Sequence, residues 1–310
     1  MRALISIGTN STRLLVVDGE EPVLHEARGT RIGEGLRERG PIAGGAAQRT
    51  LGAVREFVAI ARARGASLAG IATSALRRAD NAAEFCASFE ALTGVPLRVL
   101  SGDEEAGYSF IGAVRGLRLR GDVGVLDVGG GSTEYAYGDE AGAYTALSCE
   151  IGAVRLTERV PELGGHRAPV GSDALASARQ VARERLAVLR EQPRPRSLVA
   201  VGGTVFTAGA LIAGEDDRER LSGYVLRREA LEQLLCELLA LDLPGRRALP
   251  HMIAQRADIL PGGLVVVSTA MELLEQEEIV LSAADLLYGY LVSHPDGESR
   301  ARPPNTTAAG

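Results

Sequence analysis

One strand-turn-strand pattern occurs twice in this chain, and the recurrence limits what it can fold into. An apolar run at 3–7 leads through Gly8-Thr9-Asn10-Ser11 into a second run at 13–17, with a third at 23–30. Further on, a run at 123–128 leads through Gly129-Gly130-Gly131-Ser132 into a run at 134–137, again followed by a third, at 143–148. Short β-type runs joined by small polar residues read as hairpins. Two sheets that each begin this way can face their tips at one another across a cleft.

The intervening segments complete the picture of an α/β fold. Leu51, Val54, Val58 and Ala61 recur at helical spacing within 46–64, and Gly65 stops that helix. A strand at 68–73, a helix at 81–92 and a strand at 97–100 follow. The later part carries helices at 172–190, 227–239 and after Arg256, with strands at 198–201 and 279–281 and a turn at Pro193 and Pro195. Strands alternating with helices predict layered α/β domains. The pattern breaks at 114–122, through Arg115, Gly116, Arg118, Arg120 and Gly121, which divides the chain into domains 1–117 and 118–293. With 310 residues and 45% hydrophobic content, two cores can be filled. Residues 294–310, rich in Pro and Gly with few apolar side chains, read as a frayed tail.

Composition excludes several classes. A net charge of -6 argues against nucleic acid as a partner, because such binding draws on basic patches. Aromatics make up 4% and there is no Trp, so bases have little to stack on. No run approaches the roughly eighteen apolar residues that span a bilayer, and Met1-Arg2-Ala3 leads directly into a strand rather than a cleavable signal. No membrane partner is expected, and the reading is cytoplasmic. Cys86, Cys149 and Cys236 are scattered, and so are His25, His166, His251 and His294. Neither set has the spacing of a disulfide framework or a zinc site. An anionic ligand would need local compensation from backbone amides, a few arginines or a divalent cation.

Four loops can supply it. Gly129, Gly130, Gly131, Ser132 and Thr133 follow a strand, where glycines let the backbone approach phosphate and the hydroxyls surround its oxygens. A tight structural turn would use the same residues. Asp127, near the end of that strand, can hold Mg²⁺ directly or through water. Gly8, Thr9, Asn10 and Ser11 form a second tip dense in donors. Gly202-Gly203-Thr204 precedes a helix, so its amides either point at an anion or merely start the helix with a Thr cap. In Thr73-Ser74-Ala75-Leu76-Arg77-Arg78, one guanidinium can grip phosphate through two parallel bonds, and Arg77 is assigned to the cleft. Ser101 and Glu104 have the spacing of a capping box, which makes Glu104 structural. Glu105, about 100° further round the helix, is free to deprotonate a water beside the phosphate site.

These residues resemble the exopolyphosphatase/guanosine pentaphosphate phosphohydrolase family of the actin-like ATPase-domain superfamily. The resemblance is carried by Ile7-Gly8-Thr9-Asn10-Ser11-Thr12-Arg13-Leu14, by Ala72 to Arg77, Ser101 to Ala106 and Asp127 to Glu134. It continues in Gly152-Ala153-Val154-Arg155-Leu156-Thr157, Gly202-Gly203-Thr204 and Ile259-Leu260-Pro261-Gly262-Gly263. It implies two ribonuclease-H-like domains with the active site between them, Glu105 as catalytic base, Asp127 and Glu134 in the metal and phosphate site, Arg77 on phosphate, Mg²⁺ or another divalent cation as cofactor, and a homodimer. The implied reaction is water attack on a terminal phosphoryl group of polyphosphate, or on the 5′ γ-phosphate of guanosine pentaphosphate. A non-catalytic binder of polyphosphate or nucleotide, and an ATP-dependent kinase, are the other classes considered. The chain departs from the family pattern at Ser6, where an Asp is usual, at Gly107, where an Arg is usual, and in Ser282-Ala283-Ala284-Asp285-Leu286-Leu287-Tyr288-Gly289, where Ser-Asp and then Arg-Glu-Gly are usual. Those departures imply reduced or altered metal dependence.

Overall fold

The computed structural model describes residues 1–36 and 39–295. The strands are β1 (Arg2–Ile7), β2 (Thr12–Asp18), β3 (Glu21–Arg28), β4 (Ser67–Ala72), β5 (Leu97–Val99), β6 (Val123–Val128), β7 (Thr133–Asp139), β8 (Gly142–Cys149), β9 (Ser197–Val201), β10 (Val225–Arg227) and β11 (Glu278–Leu281). The α-helices are α1 (Gly44–Ala63), α2 (Ser74–Arg78), α3 (Ala82–Thr93), α4 (Gly102–Leu117), α5 (Ala153–Arg159), α6 (Ser172–Arg185), α7 (Gly203–Ala213), α8 (Arg218–Leu221), α9 (Arg228–Ala240), α10 (Leu243–Arg247), α11 (Leu260–Leu273) and α12 (Leu286–Ser293).

Two sheets result, ordered β3-β2-β1-β4-β5 and β10-β11-β9-β6-β7-β8. Each centres on the strand that opens its hairpin: β1 pairs antiparallel with β2 and parallel with β4, as β6 does with β7 and β9. A central strand is covered on both faces, which is why 3–7 and 123–128 read as continuous apolar runs rather than alternating ones. One face of the first sheet packs Ile5, Ile7 and Leu14 against Val54 and Phe57 of α1 and Phe89 of α3. The second sheet is covered on one side by α5, α6, α7, α9 and α11 around Leu126, Ala200 and Leu264.

Helix α4 joins the halves. Its Ala106, Phe110 and Ala113 pack on Val125, Ala136 and Val199 of the second sheet, while its Tyr108 joins Leu4, Leu15 and Ile71 of the first. Ser101 caps it with the reciprocal Glu104 bonds expected of a capping box. The helix continues through Leu117 and ends at Arg118 in the left-handed region, φ 53°. Residues 114–117, which the broken pattern had placed in the crossing, are therefore helical.

Helix α12 also differs from the sequence expectation. Residues 286–293, counted with the second half, pack on the first sheet and on α4, with Leu286, Leu287 and Tyr290 in the core shared with Leu4 and Tyr108. Eight mostly apolar residues carry no period that says which sheet they cover. The chain thus crosses between halves twice, at 118–122 and at 282–285. His294, assigned to the tail, is buried and stacks on Tyr290 with ring centroids 4.2 Å apart; residues 296–310 lie outside the described residues.

Glycine makes the α4–α12 crossing this close. A Cβ at Gly289 would stand 1.8 Å from the Tyr108 carbonyl oxygen, and one at Gly112 would stand 2.2 Å from the Asp285 carbonyl oxygen. Gly289→Ala is expected to force the helices apart and to cost about 1–3 kcal/mol, the usual range for overpacking a core. Urea unfolding measures this, and an unchanged midpoint would contradict the contact.

Candidate active site

The two hairpin tips close in the same way. Gly8 N–H donates to the Ser11 carbonyl and Gly129 N–H to the Ser132 carbonyl, both at 3.0 Å. The tips also touch: a Cβ at Gly130 would lie 3.1 Å from Asn10 Cβ, and one at Gly131 would lie 2.6 Å from Thr9 Oγ1 and 2.9 Å from Ser74 Oγ. Close approach of the opposite tip therefore demands glycine here independently of any ligand. Thr9 Oγ1, Asn10 Oδ1 and Ser74 Oγ are buried with no hydrogen-bond partner in the protein. Buried polar atoms are normally satisfied, so these are available to a polar ligand or to water.

A cavity of about 70 Å³ lies at this junction. Gly8, Thr9, Asn10 and Ser11 line it from one side, and Gly129, Gly130, Gly131 and Ser132 from the other. Of the other expected residues, Glu105, Asp127 and Gly203 line it as well, together with Ser6, Arg13, Thr73, Gly202 and Arg256. Two expected phosphate ligands turn away. Thr133 Oγ1 donates to the Ile151 carbonyl at 2.7 Å and Thr204 Oγ1 to the Val128 carbonyl at 3.1 Å, so both hydroxyls tie backbone together. Arg77 and Glu134 stand behind Glu105 rather than in the cavity wall.

The first turn of α4 presents Glu105, 6% exposed, to the cavity. Arg77 Nη1 donates to its Oε2 at 2.6 Å and to the Leu100 carbonyl at 3.1 Å. Arg77 Nη2 lies 3.8 Å from Glu134 Oε1 and is buried without an acceptor. Ser148 Oγ donates to Glu134 Oε1 at 2.7 Å, and Ser109 Oγ, one turn beyond Glu105 on α4, donates to Asp127 Oδ2 at 2.9 Å. Gly202, with φ 93°, leaves the space into which Asp127 Oδ1 points; a Cβ there would be 2.7 Å from that oxygen.

Burial dominates the titration of these acids. It pushes Glu105 up to about 7 against the pull of Arg77, with Asp127 adding repulsion. Burial, and then Glu105 and Asp127, hold Glu134 well above the carboxylate range. Burial also raises Asp127 in spite of Arg13. Three acids that cannot all ionise cheaply in one dry site are suited to proton transfer and to a cation. Among the described residues, no group of three or more His, Cys, Asp or Glu is arranged to hold a metal. Asp127 and the unpartnered Asn10 Oδ1, both on the cavity wall, are hard oxygen donors of the kind Mg²⁺ takes, and Glu134 lies behind the wall.

Cationic charge gathers on the opposite wall. Arg13 Nη1 is 2.5 Å from Asp285 Oδ2, and Arg218 Nη2 is 3.5 Å from the same oxygen. Burial pushes Asp285 up, but Arg13 and Arg218 outweigh it and hold the group below the ordinary range. Arg256 has no carboxylate partner among the described residues; burial first, then Arg13, Arg218 and Arg31, lower it to about 10. Its guanidinium covers the start of α7, where a Gly203 Cβ would meet Nη2 at 2.0 Å. A helix N-terminus beside an unpaired guanidinium is suited to an anion. Sequence reasoning assigned no role to Arg13, Arg256, Ser109 or Ser148. Arg13 left one signal, a charge inside an apolar strand; the others come together only through the tertiary fold.

The chain matches the Ppx/GppA phosphatase family over residues 15–296. Exopolyphosphatase 2 of Mycobacterium tuberculosis is 34% identical over 315 residues, a span covering 94% of this chain and 97% of that protein. The crystal structure of the Aquifex aeolicus Ppx/GppA family member superposes with a TM-score of 0.78 at 25% identity, covering 96% of this chain and 98% of that one. An exopolyphosphatase from Cytophaga hutchinsonii has the same fold, with a TM-score of 0.86 at 24% identity over 98% of this chain and 99% of that one. The two-sheet α/β fold is thus that of the solved Ppx/GppA structures, and the chain belongs to the Ppx/GppA phosphatase family.

Proposed function

We propose that the chain is an exopolyphosphatase that removes the terminal phosphate of inorganic polyphosphate by Glu105-activated attack of water. The observation that carries this reading is the placement of Glu105, raised to about 7, on a cavity formed by both glycine-rich tips. Amides of the tips, Ser11, Ser132, Arg256 and the start of α7 hold the terminal phosphoryl group. Glu105 takes the proton from the attacking water, and Arg77, behind it, fixes the carboxylate. Asp127 and Glu134 would hold Mg²⁺, which supplies neutralisation of phosphate charge when bound.

The polyphosphate reading draws support from what adjoins the cavity. Asn10, Ser11, Arg13, Gly203 and Arg256 also border a second space of about 420 Å³, which Arg218 lines as well. Three arginines around one space suit a ligand with several negative charges, while Arg28, on the same space, is paired with Glu26 and Glu56. The same space has an apolar wall of Phe206, Ala210 and Leu221, which favours guanosine pentaphosphate as the second reading.

Phosphate release from long-chain polyphosphate, guanosine pentaphosphate and ATP, each with a Mg²⁺ and Mn²⁺ series, tests both. Release from polyphosphate supports the first reading, and preference for the nucleotide supports the second. No release from any of them leaves a non-catalytic binder. Because the base must be ionised, kcat/KM is expected to rise about tenfold per pH unit on the acid side and to level above about 7. A plateau already reached near pH 5 would contradict the assignment of Glu105.

A further inference from the structure

Asp285 stands apart from the acids of the reaction and serves a different set of groups. Arg13 of β2, Arg218 at the start of α8 and Arg256 before α11 converge beside the cavity from three parts of the chain. Asp285 is the carboxylate that Arg13 and Arg218 share: its Oδ2 lies 2.5 Å from Arg13 Nη1 and 3.5 Å from Arg218 Nη2. Arg13 belongs to the first half and Arg218 to the second.

The carboxylate itself is held firmly. Asp285 is 3% exposed, and its Oδ1 accepts the Leu287 N–H at 3.0 Å, capping α12. Its carbonyl oxygen is pressed against Gly112 of α4. It sits in 282–285, the second crossing between the halves. Arg218 is fixed from other directions too, donating to the Ala283 carbonyl at 3.1 Å and lying 4.0 Å from the centre of the Phe206 ring.

Arg13 has alternatives that Asp285 denies it. Asp127 and Glu105 both attract it across the cavity. Ser6, its partner in register on β1, carries no charge to restrain it. Without Asp285, Arg13 would be free to pair with the acids of the reaction. Arg218 would lose its tie to the first half.

We propose that Asp285 is a positioning residue for hydrolysis: its Oδ2 holds Arg13 against the cavity and Arg218 beside it, ties the two halves together through them, and keeps Arg13 off Asp127 and Glu105. This rests on the phosphohydrolase reading above. The arginines then bind phosphate whether or not Asp285 is charged, but meet it in the reactive geometry only when it is. A misplacement of about 1 Å can cost up to about 10²-fold in rate.

Asp285→Asn separates this role from capping, because an amide oxygen still accepts the Leu287 N–H. Phosphate release from polyphosphate with Mg²⁺ is compared for the wild type, D285N, R218Q and the double variant. For D285N the expected result is a fall in kcat of about tenfold with KM unchanged or lower, alongside a lowered thermal midpoint, because two arginines then keep their charge in a dry site. Because both substitutions break one contact, the kcat of the double variant should be no lower than that of D285N. A D285N enzyme with kcat within about twofold of wild type overturns the proposal, as do strictly additive losses. Should D285N not fold, R218Q decides: a lowered kcat, whatever the rise in KM from losing a phosphate-binding cation, supports the tie, and wild-type kcat overturns it. Wild-type protein inert on polyphosphate, guanosine pentaphosphate and ATP defeats the parent reading and this one with it. An active wild type with an equally active D285N defeats the role of Asp285 alone.

Discussion

Glu105→Gln is expected to slow phosphate release by about 10²- to 10⁴-fold while leaving polyphosphate binding intact. The amide keeps the shape of the carboxylate and an oxygen for Arg77 Nη1, which lies 2.6 Å from Glu105 Oε2. It removes the ability to take a proton. A well-placed general base contributes a factor of about 10² to 10⁴, so kcat should fall by that much with little change in KM. Stability should move the other way. Glu105 has its folded pKa raised to about 7 by burial, so the folded state holds this proton more tightly than the unfolded chain. That contribution is complete below the ordinary carboxylate range and is lost as pH rises through about 7. At pH 8 the wild type therefore carries a buried charge that E105Q lacks. The thermal midpoint of E105Q relative to wild type should be higher at pH 8 than at pH 5. Retention of more than about a tenth of the activity would place the base elsewhere.

Which parts of the site were legible in the sequence follows from how local each signal is. The tips could be read because glycine, serine and threonine between two apolar runs define a hairpin within six residues. Glu105 was separable from Glu104 because the capping box, formed by Ser101 and Glu104, is itself a local motif. Thr133 and Thr204 looked like phosphate ligands for the same reason, yet each hydroxyl is taken by a carbonyl brought from elsewhere in the chain. The cationic wall had no local signature at all. Arg256 meets Gly203 only through the tertiary packing of the second half, and Arg13 meets Asp285 only once both crossings between the halves are in place. Helix α12 failed to declare its sheet because an apolar segment of eight residues suits either one.

Arg77→Gln is expected to lower kcat/KM at pH 7 by about 10² and to do so in a pH-dependent way. Arg77 is 16% exposed on its side chain and is the cation bonded to Glu105, with Glu134 3.8 Å from its other nitrogen. Removing one partner of a buried ion pair typically costs about 3–5 kcal/mol, because the remaining charge is left in a dry site. Here the remaining groups are acids, so they can relieve the strain by holding protons. Arg77 lowers the Glu105 pKa against burial, and its loss drives that pKa further up, away from 7. The acid limb of the rate profile should therefore move to higher pH, and R77Q should regain part of its activity in alkaline buffer, whereas E105Q should not at any pH. Arg77→Lys keeps the charge but offers a single nitrogen in place of a fork, and so cannot reproduce the bonds to Glu105 and the Leu100 carbonyl together with the approach to Glu134. Its rate should fall between wild type and R77Q. An R77Q profile that keeps the wild-type midpoint would mean that Arg77 acts on phosphate alone and not on the base.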